Sequence, residues 1–290
     1  MKPHYLVIGA GGQLGREFCT FFEQNAVSYT GLTSKDLDIT DHDAIDHSLN
    51  SELPNVVINC AAYTQVDKAE DDKERCFAVN RDAVGSLATN CASKGIKLVH
   101  FSTDYVFSGT EEDRRTFPDG YPTKHRGNPS GVYGQSKWEG EELIRDSGVN
   151  HLIIRVAWLC GQFGHNFVKT MMRLGAERDE LNVVSDQIGA PSFASPVVEQ
   201  TMLLLEKDSN GTRHIASDGE ISWFDFAKET MKIAELNCRV HAIRTEDYPT
   251  RAARPRFSRL DCSQTVEETS KPMGDWKQHL EQLIKQIKQN

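Results

Sequence analysis

A phenol and an ammonium stand four residues apart in Tyr133-Gly134-Gln135-Ser136-Lys137, downstream of Ser102-Thr103-Asp104-Tyr105. On a helix, positions i and i+4 share a face, so Tyr133 and Lys137 can act together. A free tyrosine ionises near pH ~10 and is a sluggish general acid or base at neutral pH. A neighbouring ammonium stabilises the phenolate and is expected to draw the phenol toward the working range. Thr103 can hydrogen-bond the same reacting oxygen. This trio can give a proton to a carbonyl or take one from an alcohol. Tyr-x-x-x-Lys alone arises often by chance, so its weight comes from what precedes it.

What precedes it is Gly9-Ala10-Gly11-Gly12-Gln13-Leu14-Gly15, placed after a short apolar run and before a helical pattern. Gly9 permits a tight turn, Gly11 and Gly12 let the backbone approach a pyrophosphate, and Gly15 lets helix pack on strand. The free N–H groups that open the helix, around Gln13 and Leu14, then face the phosphates. An acid directly after the second strand would meet a ribose hydroxyl and favour NAD. Thr33-Ser34-Lys35 stands there instead. Lys35 can meet a 2′-phosphate, which favours NADPH with NADH tolerated; its plain reading is a solvated charge. Asp38-Ile39 follows and is placed to contact the adenine end. A dinucleotide loop and a proton donor together describe an enzyme that moves hydride between a nicotinamide and a carbonyl or alcohol.

Such residues need a scaffold. Strand patterns at His4–Ile8, Ser28–Leu32, Val56–Asn59, Lys97–Ser102 and His151–Ala157 alternate with helical ones. The helical stretches are Gln13–Glu23, a segment capped by Asp41, Asp71–Lys94 ending at Gly95, and Trp138–Asp146. This alternation predicts an α/β fold, a doubly wound parallel sheet of the Rossmann kind. Ligands of such sheets sit at the carboxyl ends of strands. Ala61-Ala62-Tyr63-Thr64, Thr103 and Trp158 all follow strand ends and should gather with the glycine loop. Ser108–Val132 has no clear period and reads as a long loop. Beyond about residue 175 short strands mix with helices. The expected division is a dinucleotide-binding domain over 1–175 and a smaller mixed substrate-binding lobe over 176–290, with segments free to interleave.

Composition narrows the class. A 290-residue chain with net charge −9 lacks the basic face of a nucleic-acid binder. No apolar run approaches the ~20 residues of a membrane span. The seven cysteines are scattered without a Cys-x-x-Cys pair, as in a reduced, cytoplasmic protein rather than a disulfide framework or zinc site. Met1-Lys2-Pro3-His4-Tyr5 enters a strand directly, so no signal peptide is expected.

The motifs carry a family resemblance. Gly12-Gln13-Leu14-Gly15, Leu37-Asp38-Ile39-Thr40-Asp41, Asn59-Cys60-Ala61-Ala62-Tyr63-Thr64 and Val66-Asp67-Lys68-Ala69-Glu70 belong to it. So do Ser102-Thr103-Asp104-Tyr105-Val106-Phe107, the Tyr133 and Lys137 run, Arg155-Val156-Ala157-Trp158 and Arg254-Pro255. The chain resembles the extended short-chain dehydrogenase/reductase family, and within it the dTDP-4-dehydrorhamnose reductases. The resemblance implies reduction of dTDP-4-dehydro-L-rhamnose to dTDP-L-rhamnose by NAD(P)H. Tyr133 would donate the proton to the C4 oxygen, Lys137 would tune it and hold the nicotinamide ribose, and Thr103 would polarise the ketone. Asp104 and Trp158 would contact the sugar. Gly12-Gln13-Leu14, Asp38-Ile39 and Ala62-Tyr63-Thr64 would line the cofactor. Arg254 reads equally as a diphosphate grip or as a solvated loop residue. The loop Tyr121–Val132 departs from the family pattern close to the sugar. Glu17 matches one magnesium carboxylate of some relatives, but Ser195 stands where another relative has an acid, so no metal site is expected and a homodimer is left open. Two alternatives remain: a reductase of another nucleotide sugar, and a non-catalytic regulatory subunit on the same fold.

Overall fold

A computed structural model describes residues 3–289; Met1 and Lys2, the start of the expected N-terminal run, lie outside them. The strands are β1 (Tyr5–Ile8), β2 (Tyr29–Leu32), β3 (Val56–Asn59), β4 (Lys97–Thr103), β5 (His151–Val156), β6 (Glu180–Val184), β7 (Ile188–Gly189), β8 (Gly211–His214), β9 (Ile221–Ser222) and β10 (Arg239–Ile243). In the first half the helices are α1 (Gln13–Gln24), α2 (His42–Glu52), α3 (Val66–Ala69), α4 (Lys73–Phe77), α5 (Ala83–Lys94), α6 (Glu111–Thr116) and α7 (Val132–Asp146). The second half adds α8 (Phe167–Glu177), α9 (Ala194–Glu206), α10 (Trp223–Ala234), α11 (Ser263–Thr269) and α12 (Trp276–Gln289).

Six strands form one parallel sheet in the order β2-β1-β3-β4-β5-β8. Its strands are apolar on both faces because both faces are covered. In β1, Tyr5 and Val7 join the layer under α1 and α9, while Leu6 and Ile8 join the layer under α2 and α5. The sheet is the expected doubly wound α/β architecture. Two small sheets, β6 with β10 in parallel and β7 with β9 antiparallel, pack with α8, α10 and α12 beyond it. The C-terminal half also returns to the main sheet, since β8 pairs with β5.

Local signals explain most boundaries. Asp41 accepts from the Asp43 and Ala44 amides and starts α2, and Gly95 ends α5 in the left-handed region at φ 66°. Three elements differ from expectation. The helical stretch 71–94 is broken by a π-helical turn, Ala78–Asp82, between α4 and α5. The helix α7 begins at Val132 rather than Trp138, so Tyr133 sits in its first turn. The loop after Ser108 contains α6, opened by a reciprocal cap between Thr110 and Asp113. Among the described residues no helix is long and apolar enough to cross a membrane.

Candidate active site

The β1 strand ends in a turn that only glycine suits. Gly9 has φ 79°, and a Cβ on it would lie 2.6 Å from the Ala61 nitrogen. Gly12 then caps α1 without a side-chain hydrogen bond, and no acid occupies the first turn. The amides at this helix start are left to meet an anion. A cleft of ≈ 700 Å³ opens here along the carboxyl ends of β1, β2 and β3. Gly9, Gly11 and Gly12 line it, as do Lys35, Asp38 and Ile39 from the β2 side and Ala61, Ala62, Tyr63 and Thr64 from the β3 side. The Gln13 and Leu14 side chains do not. Gln13 donates to the Leu159 carbonyl at 3.1 Å and accepts from Asn166 at 2.8 Å, while Leu14 packs in the core. Arg75 of α4 joins the cleft wall, 3.9 Å from the Asp38 carboxylate. Nothing in the linear spacing links Arg75 to the second strand, so sequence reasoning missed it. Lys35 and Arg75 thus place two cations along the cleft wall.

The proton-transfer group assembles at the end of β4. Thr103 is its last residue; the hydroxyl donates to Asp104 Oδ1 at 3.0 Å and accepts from the Tyr105 amide at 3.2 Å. The Tyr133 phenol lies close enough to the same hydroxyl for Thr103 to influence its ionisation. The Tyr105 ring meets the Tyr133 ring edge-on at 5.5 Å. Gly134 makes this approach: a Cβ there would collide with the Tyr105 carbonyl oxygen.

Protonation differs from the expectation built on spacing. Burial raises the Tyr133 phenol above its ordinary value, Thr103 opposes this only in part, and the Asp104 charge adds to the rise. Lys137 is buried and its Nζ donates to the Phe101 carbonyl at 2.7 Å, with His100 Nε2 at 3.0 Å. Burial lowers Lys137 to about 8. The phenol is therefore a firmly protonated acid in this state rather than one drawn toward neutrality. Desolvation of the phenol outweighs an amine that is aimed elsewhere.

Neighbours hold these groups in place. Asn80, on the π-helical turn, accepts from the Tyr63 amide at 2.9 Å and donates to the Tyr63 carbonyl at 3.0 Å and to Ser136 at 3.0 Å. One side chain thereby ties the cleft wall to α7. Glu141 and Arg155 form a buried ion pair, with Nε–Oε1 at 2.9 Å and Nη2–Oε2 at 2.6 Å. Burial alone would raise Glu141, but Arg155 overcomes it and holds the carboxylate at about 2. This pair fastens α7 to β5.

The family described as the RmlD substrate binding domain matches residues 3–289 of this sequence. The chain belongs to this family. It is 36% identical over 264 residues to a dTDP-4-dehydrorhamnose reductase of Sinorhizobium fredii, covering 87% of each chain. It is 35% identical to the spore coat polysaccharide biosynthesis protein SpsK of Bacillus subtilis, covering 97% of this chain and 96% of that one. The crystal structure of dTDP-4-dehydrorhamnose reductase from Bacillus anthracis in complex with NADP superposes with a TM-score of 0.93 at 34% identity, covering 98% and 99%.

Two residues expected at the RmlD-family substrate have structural partners of their own. Trp158 adopts a left-handed backbone at φ 49° and stacks on Trp223 at 3.8 Å. Arg254 pairs with Asp67 of α3 and donates to the Tyr105 hydroxyl at 3.3 Å, which brings it beside the Tyr133 cluster. Elsewhere, Glu17 is buried and accepts from Gln162 at 3.3 Å, and Ser195 lines the same small cavity. Among the described residues, no group of three His, Cys, Asp or Glu side chains is placed to hold a metal ion.

Proposed function

We propose that this chain is a dTDP-4-dehydrorhamnose reductase, converting dTDP-4-dehydro-L-rhamnose to dTDP-L-rhamnose with NADPH. The observation that supports the reading is that Tyr133 of α7 lies against Thr103 at the end of β4, with Lys137 one turn on held to the Phe101 carbonyl of the same strand and a glycine-walled cleft along β1, β2 and β3. The chain's likeness to the reductases supports the substrate class. The cofactor assignment rests on the free α1 amides for the pyrophosphate, on Lys35 and Arg75 for a 2′-phosphate, and on the NADP of the superposed reductase. Bound NADPH would supply the hydride.

The protein's own contribution is placement and a proton. Tyr133, protonated at neutral pH, donates from its hydroxyl to the C4 oxygen. On this reading the Thr103 hydroxyl turns its one proton from Asp104 to that oxygen when substrate binds, and favours the charge that develops on it. Asp104 orients the Thr103 hydroxyl, and Asn80 holds the cleft wall at Tyr63. Trp158 and Arg254 face the sugar nucleotide. The molecule acts without a membrane, in the cytoplasm.

The test is NADPH consumption with dTDP-4-dehydro-L-rhamnose, with the product identified by NMR. Tyr133→Phe should lower kcat by about 10²–10⁴, the usual worth of a general acid, while NADPH still binds by fluorescence titration. Wild-type-like turnover of that variant would overturn the mechanism. A product other than dTDP-L-rhamnose would overturn the substrate.

A further inference from the structure

The helix α7 carries Tyr133 in its first turn, yet it starts without help from its own residues. A helix leaves its first four N–H groups without acceptors inside the helix, and a side chain at the N-cap usually answers one of them. Here the N-cap is Gly131, which has no side chain to offer, and no acid stands in the first turn. The acceptor comes from 62 positions earlier in the chain: Glu70 Oε1 accepts from the Val132 amide at 2.9 Å. Gly131 makes the room for it. A Cβ there would lie 3.0 Å from the same Glu70 oxygen, closer than an ordinary contact.

Glu70 sits on a fastened segment. It follows directly on α3, whose last residue, Ala69, is fully buried. Asp67 of α3 accepts from the Ala252 amide at 3.1 Å and holds Arg254, and Asp71 is paired with Arg251. The acids at 67 and 71 thus grip the segment 251–254, while the one at 70 reaches α7. Its carboxylate also stands at the positive end of a 15-residue helix, where negative charge is favoured. Along the same stretch of α7, Gly134 rests on the Tyr105 carbonyl and Ser136 is held by Asn80 at 3.0 Å. Those contacts press α7 onto its neighbours; the Glu70 bond fixes where the helix begins. Val132 directly precedes Tyr133, so a shift of that start moves the phenol. We propose that Glu70 is a positioning residue: by capping α7 from outside, it sets the first turn so that Tyr133 lies against Thr103.

The inference rests on the reductase reading for its kinetics, but the cap and the placement of Tyr133 are read without substrate. In cofactor-free, full-length protein, amide hydrogen exchange followed by NMR should show Val132 N–H protected, although a first-turn amide has no partner in its own helix. Glu70→Ala should speed that exchange about tenfold, the worth of one hydrogen bond. The Tyr133 ring protons report the placement, because the Tyr105 ring meets Tyr133 edge-on at 5.5 Å and shifts their resonances. That shift should shrink in Glu70→Ala. In turnover, Glu70→Ala should lower kcat at least about tenfold, since a slightly misplaced proton donor is costly. NADPH binding should be unchanged, because Glu70 does not line the cofactor cleft.

Two further variants separate a placed hydrogen bond from a charge that favours the fold. Glu70→Gln keeps an oxygen at the same reach and should restore the protected amide, the ring shift and most of kcat. Glu70→Asp keeps the charge but falls one methylene short of Val132, and should behave like the alanine variant. An unprotected Val132 amide in the wild type overturns the proposal even if Glu70→Ala does not fold. So does a Glu70→Gln protein as impaired as Glu70→Ala, or a Tyr133 ring shift that no Glu70 variant moves. Wild-type protein with the protected amide and the Glu70-dependent ring shift, but without turnover, would support the cap and count against the reductase reading alone.

Discussion

At Asp104 a carboxyl is taken out of water directly beside the Thr103 hydroxyl, the group proposed to polarise the ketone. Burial raises it from its ordinary 3.8 to about 6, against the influence of the nearby Ser258 hydroxyl and the Thr103 hydrogen bond, which work to lower it. An acid raised by folding keeps its proton in the native state after the unfolded chain has lost it. Stability therefore falls as pH rises from about 4 through about 6, and the loss is complete above the folded value. A shift of this size corresponds to about 3 kcal/mol. Asparagine cannot ionise, so Asp104→Asn should escape this loss. Urea unfolding should show the variant gaining on the wild type between pH 4 and 7, by up to about 3 kcal/mol. A stability difference independent of pH would show that Asp104 titrates as an ordinary carboxyl.

Among the elements, α7 carries the most chemistry, and it is seated by the absence of a side chain. With Gly134 against the Tyr105 carbonyl, the first turn of α7 lies directly on the end of β4. Gly134→Ala should lift that turn and separate Tyr133 from Thr103. We expect kcat to fall at least about tenfold and stability by about 1–3 kcal/mol, as for other overpacked contacts. NADPH binding should persist, because the cleft along β1, β2 and β3 does not use Gly134. Steady-state kinetics with a cofactor titration separates the two effects, and an unchanged kcat would remove Gly134 from its seating role. The start of this helix was hard to read in the sequence for the same reason. Gly131 caps it without a side chain, and Gly134 dilutes the apolar period. By contrast, Asp41 and Gly95 announced the ends of α2 and α5 through ordinary capping chemistry. The π-helical turn was not legible, since no residue type signals it and it lies between two ordinary helical stretches. With it went the reason Asn80 matters: the turn lies where that amide reaches both Tyr63 and Ser136. The central strands were legible because burial on both faces leaves unbroken apolar runs.

Across the whole molecule, contacts between distant parts of the chain join the region around α3 to the segment at 251–254. Arg254 meets Asp67 and Arg251 meets Asp71, so the segment before β-bridge residue Phe257 is tied to α3 and the turn after it. The sequence offered Arg254 as either a diphosphate grip or a solvated charge; pattern could not supply a partner 187 positions away. The structure puts Arg254 beside Tyr105 and in the ≈ 410 Å³ cavity that Asp67 and Gln187 also line. There the guanidinium has one acid to hold it, and the proposed function makes it the diphosphate grip. Arg254→Ala should raise KM for the dTDP-sugar about tenfold, the worth of a charge-assisted hydrogen bond. The NADPH KM should change little, because Arg254 does not line the cofactor cleft. Stability should move by less than about 1 kcal/mol, since Asp67 is half-exposed and such pairs contribute little. Asp67→Asn releases the guanidinium without removing it, so its KM for the sugar should stay level or fall. Added salt should weaken substrate binding by the wild type more than by Arg254→Ala, because screening acts on the charge the variant lacks. Parallel rises in both KM values, or equal salt dependence in the two proteins, would assign Arg254 to holding the fold together rather than to the diphosphate.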